Sequence, residues 1–170
     1  GGAVAASGLA LMWAVNGAGY HLWQFARINP AAWGFGAAFL LQAALLLGYG
    51  AILDKLRFGF DGGAVAWAGL GFVIFALVVH PLIELALGRT WGQLQLVGVS
   101  PDPTSLLMLG LLLVTTHRVP WLLLVIPVLW FLISGSWAWL LGTPERMILP
   151  LACLVATVLI VWGNWAKPRA

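Results

Sequence analysis

Few residues of this chain could do chemistry, and most of them lie near the ends of long apolar runs. His80 and Glu84 are four residues apart, so a helix would place both side chains on one face. Pro81 between them leaves the carbonyl group of Leu77 without its helical hydrogen bond, which adds a third polar group. Ionisable side chains inside apolar runs are costly and mark candidate sites. The pair predicts either a local ion pair or a site for an ion, a proton or a small solute.

Three further residues extend this candidate site. His21 lies near the end of the first apolar run, and Arg89 and Asp102 follow the third run. If the helices pack side by side, these residues come together with His80 and Glu84 at one end of the molecule. We therefore predict a polar cluster there, with both side chains of the pair pointing into the protein towards His21 or a loop arginine.

Three residues stand directly before a proline: Asn29, Asp102 and Thr143. Short polar side chains are preferred at helix N-caps, and proline fits the first helical position because its missing N–H would have no helical partner. We therefore predict that all three residues cap helices. For Asp102, capping competes with the binding role given above.

No cofactor or metal is expected. His21 and His80 differ in depth, which argues against a bis-histidine haem. Neither the metal-binding spacings of zinc sites nor a nucleotide-binding or catalytic motif occurs in the sequence. The lone Cys153 lies among Leu and Val residues and is interpreted as a small packing residue. An enzyme is therefore the least favoured class, and it would have to use His21, His80 and Glu84 as acid and base groups.

The composition indicates that lipid is the solvent. Hydrophobic residues make up 62% of the 170 residues and charged residues 8%, with a mean hydropathy of +1.01. Soluble domains carry about 25% charged residues, so this chain has too few to cover a surface in water. The net charge of +3 is spread singly through the chain, and nucleic acid is not an expected partner.

The apolar runs predict an all-α integral membrane protein, a single domain over residues 1–170 with about six transmembrane helices. The predicted spans are 3–25, 31–53, 64–87, 103–116, 119–141 and 147–165. About 20 residues are needed to cross the hydrocarbon core, and the fourth run is too short. The preceding stretch 94–99 is apolar, so it is predicted to be partly re-entrant.

Small residues and tryptophans suggest how these helices are arranged. The pairs Gly17 with Gly19 and Gly34 with Gly36 are interpreted as points of close helix contact. Most of the 11 Trp residues lie near the ends of the runs, as expected at a membrane interface. Trp67 and Trp130 lie deeper and are predicted to pack between helices.

Basic residues favour one orientation in the membrane. Five of the eight lie on one side and three on the other, and cytoplasmic loops carry the excess. The loop 54–63 and the C-terminus are therefore predicted to face the cytoplasm. The five are Lys55, Arg57, Arg118, Lys167 and Arg169, and the three are Arg27, Arg89 and Arg146.

Several short motifs along the chain occur together in a known pattern. They are Trp13-x2-Asn16-Gly17-x2-Tyr20-His21, Phe25-x2-Ile28-Asn29-Pro30-Ala31, Phe35-Gly36, Gln42, Gly98-Val99-Ser100-Pro101-Asp102-Pro103-Thr104 and Gly142-Thr143-Pro144-Glu145. In these motifs the chain resembles a bacterial family of uncharacterised multi-spanning inner-membrane proteins, a domain of unknown function. The resemblance implies a bacterial inner-membrane location and a further helix preceding this chain. Members of the family carry a cysteine where this chain has Asp102, so no thiol-based role is expected.

Two main hypotheses for the function remain at this point. The first is a non-catalytic accessory or scaffolding subunit that packs against other membrane proteins or against copies of itself. The second is a transporter for a small solute, an ion or a proton, with its site near His80 and Glu84. A membrane-embedded enzyme is the third.

Overall fold

The computed structural model describes residues 1–168, and six helices account for most of them. They are α1 (Gly2–Arg27), α2 (Ala32–Ile52), α3 (Ala64–Ala86), α4 (Pro101–Leu113), α5 (Leu122–Leu140) and α6 (Pro144–Ala166). All except α4 are long and apolar enough to cross a membrane. Among the described residues no β-strand forms, which confirms the all-α prediction.

Each helix coincides with one of the predicted apolar runs. For the third run the prediction was 64–87, and the helix spans Ala64–Ala86. Several helices widen locally into π-helical turns, at Asn16–Gln24 in α1 and at Phe75–Val79 in α3. The second of these ends just before Pro81, which has no N–H to continue the α-helical bonding pattern.

The short helix α4 is enclosed by the others. Eleven of its 13 residues are buried, and α3 and α6 are its main neighbours. At 1.5 Å per residue it is about 20 Å long. Residues 88–100, which precede it, contain only one short 3₁₀ turn, Trp91–Gln93. The apolar core of the protein therefore surrounds a helix that is shorter than its neighbours.

Glycines allow the helix backbones to approach closely at two crossings. A β-carbon at Gly17 would lie 3.1 Å from the carbonyl oxygen of Gly36, so the predicted contact between α1 and α2 is confirmed for this pair. The prediction is wrong for Gly19 and Gly34, since a β-carbon at either would meet nothing within 4 Å.

A second close crossing joins α3 to the enclosed helix α4. A β-carbon at Gly69 would lie 2.7 Å from the carbonyl oxygen of Gly110, and a β-carbon at Gly110 would lie 3.0 Å from that of Gly69. Each glycine therefore makes room for the backbone of the other helix. The pair brings the two helices into direct backbone contact in the half of the bundle nearer the basic end.

Large apolar side chains also cover the exterior of all five long helices. Trp130 is buried between helices, as predicted. Trp67 is not buried: 59% of its surface is exposed, and its ring packs edge-on against Phe60 in the loop before α3. The prediction for Trp67 is wrong because the outward face of α3 is as apolar as the inward face.

The connections between helices lie alternately at two ends of the bundle. The polar end comprises residues 27–31, 87–100 and 141–143, and the basic end comprises 53–63, 114–121 and 167–168. Hydrogen bonds join the segments of the basic end, from Thr116 N–H to the Arg57 carbonyl at 2.8 Å and from Arg118 N–H to the Pro168 carbonyl at 3.0 Å. The predicted functional residues all lie towards the polar end.

Candidate functional site at the polar end

The Glu84 carboxylate is held by the segment that follows its own helix. Its Oε1 lies 3.4 Å from Arg89 Nε, and its Oε2 accepts a hydrogen bond from the backbone N–H of Gln95. Only 6% of Glu84 is exposed. Because charge-assisted hydrogen bonds are stronger than neutral ones, this carboxylate fixes the irregular segment 88–100 against α3.

His80 lies one helical turn earlier and is buried next to the same carboxylate. Together with Glu84, Arg89, Gln95 and Arg146 it lines a small cavity of about 20 Å³, here called the Glu84 pocket. The structure thus places both members of the His80–Glu84 pair inside the protein, with a loop arginine as partner. A cavity of this size has room for about one water molecule.

Asp102 lies at the start of α4 and has a different partner. Its Oδ1 accepts a hydrogen bond of 2.7 Å from the indole Nε1 of Trp130 on α5. The prediction that Asp102 caps the helix is wrong, because the N-cap position belongs to Ser100 and the helix begins at Pro101. Asp102 therefore lies in the first turn, and its side chain bonds across to α5 rather than back to its own backbone.

The Asp102 carboxylate faces a second cavity, of about 110 Å³, here called the Asp102 cavity. Its walls include aromatic side chains and charged side chains of both signs. The residues that matter for its chemistry are Tyr20, Asp102, Trp130, Ser134, Thr143 and Arg146. A cavity of this size and polarity can hold several water molecules or one small polar molecule.

The two cavities share part of their walls. Gln95 and Arg146 line both, so the Glu84 pocket and the Asp102 cavity are neighbours. Arg146 itself is exposed and lies at their border. Three carboxylates, those of Glu84, Asp102 and Glu145, and two guanidinium groups therefore face a common region at the polar end.

His21 lines neither the Glu84 pocket nor the Asp102 cavity, and it lies behind the aromatic wall of the second. Its ring is fully buried among aromatic rings, with centroids 4.5 Å from Phe39, 4.9 Å from Trp130 and 5.0 Å from Tyr20. Within the described residues neither of its ring nitrogens has a hydrogen-bond partner. Of the two partners predicted for the pair, His21 or a loop arginine, the structure therefore shows the arginine, Arg89, and the face of α1 that carries His21 packs against aromatic residues of α2 and α5.

The other two residues predicted to cap helices, Asn29 and Thr143, do not make the expected capping hydrogen bonds either. The prediction that Asn29 caps α2 is wrong, because Ala31 holds the N-cap position. Asn29 Oδ1 instead accepts a hydrogen bond of 3.0 Å from Ala31 N–H, which makes a local turn just before the helix. Thr143 occupies the N-cap position of α6, but its hydroxyl donates to the Ala138 carbonyl at 3.2 Å and makes no capping bond. The prediction for Thr143 is right in position and wrong in the hydrogen bond, since a capping hydroxyl accepts from an N–H of its own helix and this hydroxyl donates to a carbonyl of α5.

Two residues of this region, Gln95 and Trp130, were not included in the site predicted from the sequence. Gln95 contributes its backbone N–H to Glu84, and a backbone group leaves no signal in the residue type. Trp130 gave a usable signal, because a buried indole N–H usually finds an acceptor.

Within residues 1–168, no three His, Cys, Asp or Glu side chains come together in a way that could hold a metal ion.

A family model described as a family of unknown function, DUF6064, matches residues 3–169. Because the match covers nearly the whole sequence, the chain belongs to this family. No curated protein and no solved structure matches it.

Proposed function

We propose that this protein is an integral membrane protein of the bacterial inner membrane and that its five long helices cross the bilayer. The apolar side chains on the outside of these helices support this proposal, because they are stable against lipid and costly in water. Helix α4, at about 20 Å, is shorter than the hydrocarbon core of about 30 Å. It would begin below the membrane surface, and residues 88–100 would reach in to meet it, covered by protein as irregular backbone requires.

The proposed orientation places the basic end in the cytoplasm. Lys55, Arg57, Arg118 and Lys167 belong to this end, and Arg169, the fifth basic residue of the count, lies outside the described residues. The polar end, with the Glu84 pocket and the Asp102 cavity, would face the other side of the membrane.

Within the membrane we propose a non-catalytic role, as an accessory or scaffolding subunit that packs against other subunits or against copies of itself. The observation that carries this proposal is that both carboxylate oxygens of Glu84 are bound by groups of the protein itself. Its two oxygens engage Arg89 and Gln95, and the pocket around them has room for about one water molecule. The residue pair that suggested a transport site therefore holds the protein together, which suits a subunit whose function is structural.

Purification from the native membrane tests this role. We expect partner subunits to remain at one fixed molar ratio through affinity and size-exclusion chromatography in a mild detergent. Tryptophan substitutions at one exposed position of each long helix would locate the contact, because an added indole is tolerated against lipid and disrupts a packed interface. The positions are Val4, Leu41, Leu77, Leu129 and Leu154.

Loss of the partner from one or two neighbouring helices would support the proposal. A protein that elutes as a single chain, both as wild type and in all five variants, would contradict it.

A second candidate function is binding of a small polar solute in the Asp102 cavity. The specific observation is that a carboxylate and a guanidinium group, those of Asp102 and Arg146, line the same cavity of about 110 Å³. Groups of both signs suit a small zwitterion. Thermal stabilisation by glycine-sized zwitterions that disappears in Asp102→Asn but persists in Glu145→Gln would favour this function, and no stabilisation in the wild type would exclude it for these solutes.

A further inference from the structure

A groove at the basic end combines cationic and aromatic side chains. It has a volume of about 500 Å³ and lies between the end of α2, the connection from α4 to α5 and the end of α6. Its walls include Tyr49, Lys55, Arg118, Trp121 and Trp165, and it is here called the basic groove.

Within residues 1–168, neither cation of the basic groove has an acidic partner. In the described part of the chain the ion pairs are Arg57 with Asp54 and Arg89 with Glu84, and neither includes Lys55 or Arg118. Two uncompensated cations at one groove attract an anion, and guanidinium and ammonium groups are the usual ligands of phosphate.

Among residues 1–168, the Lys55 ammonium and the two terminal nitrogens of the Arg118 guanidinium have no hydrogen-bond partner. Arg118 Nε donates to the Lys167 carbonyl at 2.7 Å, which leaves the two terminal nitrogens of the guanidinium. The backbone N–H of Lys55 donates to the Tyr49 carbonyl at 2.8 Å and fixes the start of its loop. The floor of the groove is held by Asn164, whose amide bonds both the N–H and the carbonyl of Val119, at 2.9 Å and 3.0 Å.

The aromatic walls indicate that the anion belongs to a lipid. Trp121 and Trp165 are largely exposed, and exposed indoles at helix ends lie at the level of the lipid headgroups. A free phosphate needs only a few enclosing donors, whereas this groove is far larger and is bordered by Val119 and Pro120 on its apolar side. A headgroup with its attached glycerol has this combination of a charged and an apolar part.

We propose that the basic groove binds the headgroup of an anionic phospholipid. The inference rests on the membrane location given under the proposed function. Basic pockets between transmembrane helices at the cytoplasmic side are suited to such headgroups. A bound lipid would join the loop after α2 to the connection between α4 and α5 through Lys55 and Arg118, two segments that are distant in sequence.

Thermal unfolding of the purified full chain in a neutral detergent tests this proposal. Phosphatidylglycerol or phosphatidylcholine is added to the micelles in increasing amounts, and inorganic phosphate serves as the third arm. We expect phosphatidylglycerol to raise the unfolding temperature in a saturable way, whereas phosphatidylcholine and inorganic phosphate have no such effect. Removing one cation near an anionic surface should weaken the apparent affinity about fivefold.

Lys55→Gln is the main variant, because the Lys55 side chain makes no hydrogen bond among the described residues and its loss should leave the fold intact. Arg118→Gln is the second variant, and it removes both the other cation of the groove and the hydrogen bond from Arg118 Nε to the Lys167 carbonyl. Arg57→Gln is the matched control, since it removes the same charge at the same end of the protein from a residue paired with Asp54.

Weaker phosphatidylglycerol binding in Lys55→Gln and unchanged binding in Arg57→Gln would support the basic groove. Equal stabilisation by phosphatidylcholine or by inorganic phosphate, or unchanged binding in Lys55→Gln, would overturn it. A chain that remains monodisperse in water without detergent would instead overturn the membrane location itself, so the two proposals can fail separately.

Discussion

Replacing Gly69 by alanine should destabilise the protein, whereas the same change at Gly71, two residues along α3, should stabilise it slightly. Gly69 faces α4 at the close crossing. A β-carbon there would lie 2.7 Å from the Gly110 carbonyl oxygen and 2.8 Å from the β-carbon of Leu113. A β-carbon at Gly71 would meet nothing within 4 Å. The two positions therefore share one helix and differ only in what they face.

The expected magnitudes follow from these distances. The contact with Gly110 is about 0.7 Å shorter than the 3.4 Å at which ordinary contact begins, so α3 and α4 must move apart. A carbonyl group of the backbone cannot rotate away, and overpacking of this kind costs about 1–3 kcal/mol. Alanine recovers about 0.5–1 kcal/mol of helix stability relative to glycine. We expect a net loss of about 1–2 kcal/mol for Gly69→Ala and a gain of about 0.5–1 kcal/mol for Gly71→Ala.

The free energy of unfolding can be measured by titrating sodium dodecyl sulfate into mixed micelles of the purified protein and following its far-ultraviolet circular dichroism. The free energies of unfolding of the two variants are compared with each other, so errors in the long extrapolation to zero denaturant largely cancel. If Gly69→Ala and Gly71→Ala change the free energy of unfolding equally and with the same sign, the close crossing of α3 and α4 does not exist in solution.

Three further predictions concern the polar end and the orientation. Glu84→Gln should lower the free energy of unfolding by about 1–3 kcal/mol because a charged hydrogen-bond acceptor is lost, while the exposed Glu145→Gln should change it by less than about 0.5 kcal/mol. Trp130→Phe should cost about 1.5–3 kcal/mol in the same titration, since the carboxylate in the cavity loses its donor. In intact cells an impermeant thiol reagent should label Gly92→Cys and not Asp61→Cys, and the reverse pattern would invert the proposed topology.

The helices could be predicted closely from the sequence because apolar runs of sufficient length have few alternatives to helix. The run at 119–141 became α5, Leu122–Leu140, and the run at 147–165 became α6, Pro144–Ala166. Even the short helix α4 was expected, since its apolar run was too short for a normal span. These features depend on local hydropathy and length, which are properties of the sequence itself.

The direction in which each helix faces was harder to predict. Trp67 was expected inside and lies outside, and only one glycine of each predicted pair makes the close contact. All faces of these helices are apolar, so no periodic pattern distinguishes the inward side from the outward side. The surroundings of His21 were equally hard to predict. Its neighbours Phe39 and Trp130 come from two other helices, and the sequence does not show which faces of those helices meet α1.

Glu84 illustrates why an ionisable residue in an apolar helix does not by itself reveal a binding site. Such a residue must find partners whether it binds a ligand or stabilises the fold, so the sequence signal is the same in both cases. The structure separates the two by the partners already bound and by the space that remains. Glu84 has an arginine and a backbone N–H as partners and a pocket of about 20 Å³, whereas Asp102 accepts a bond from the Trp130 indole and faces a cavity of about 110 Å³. Compared with Glu84, Asp102 therefore has more space beside its carboxylate for a further molecule, and Glu84 holds the wall beside that space.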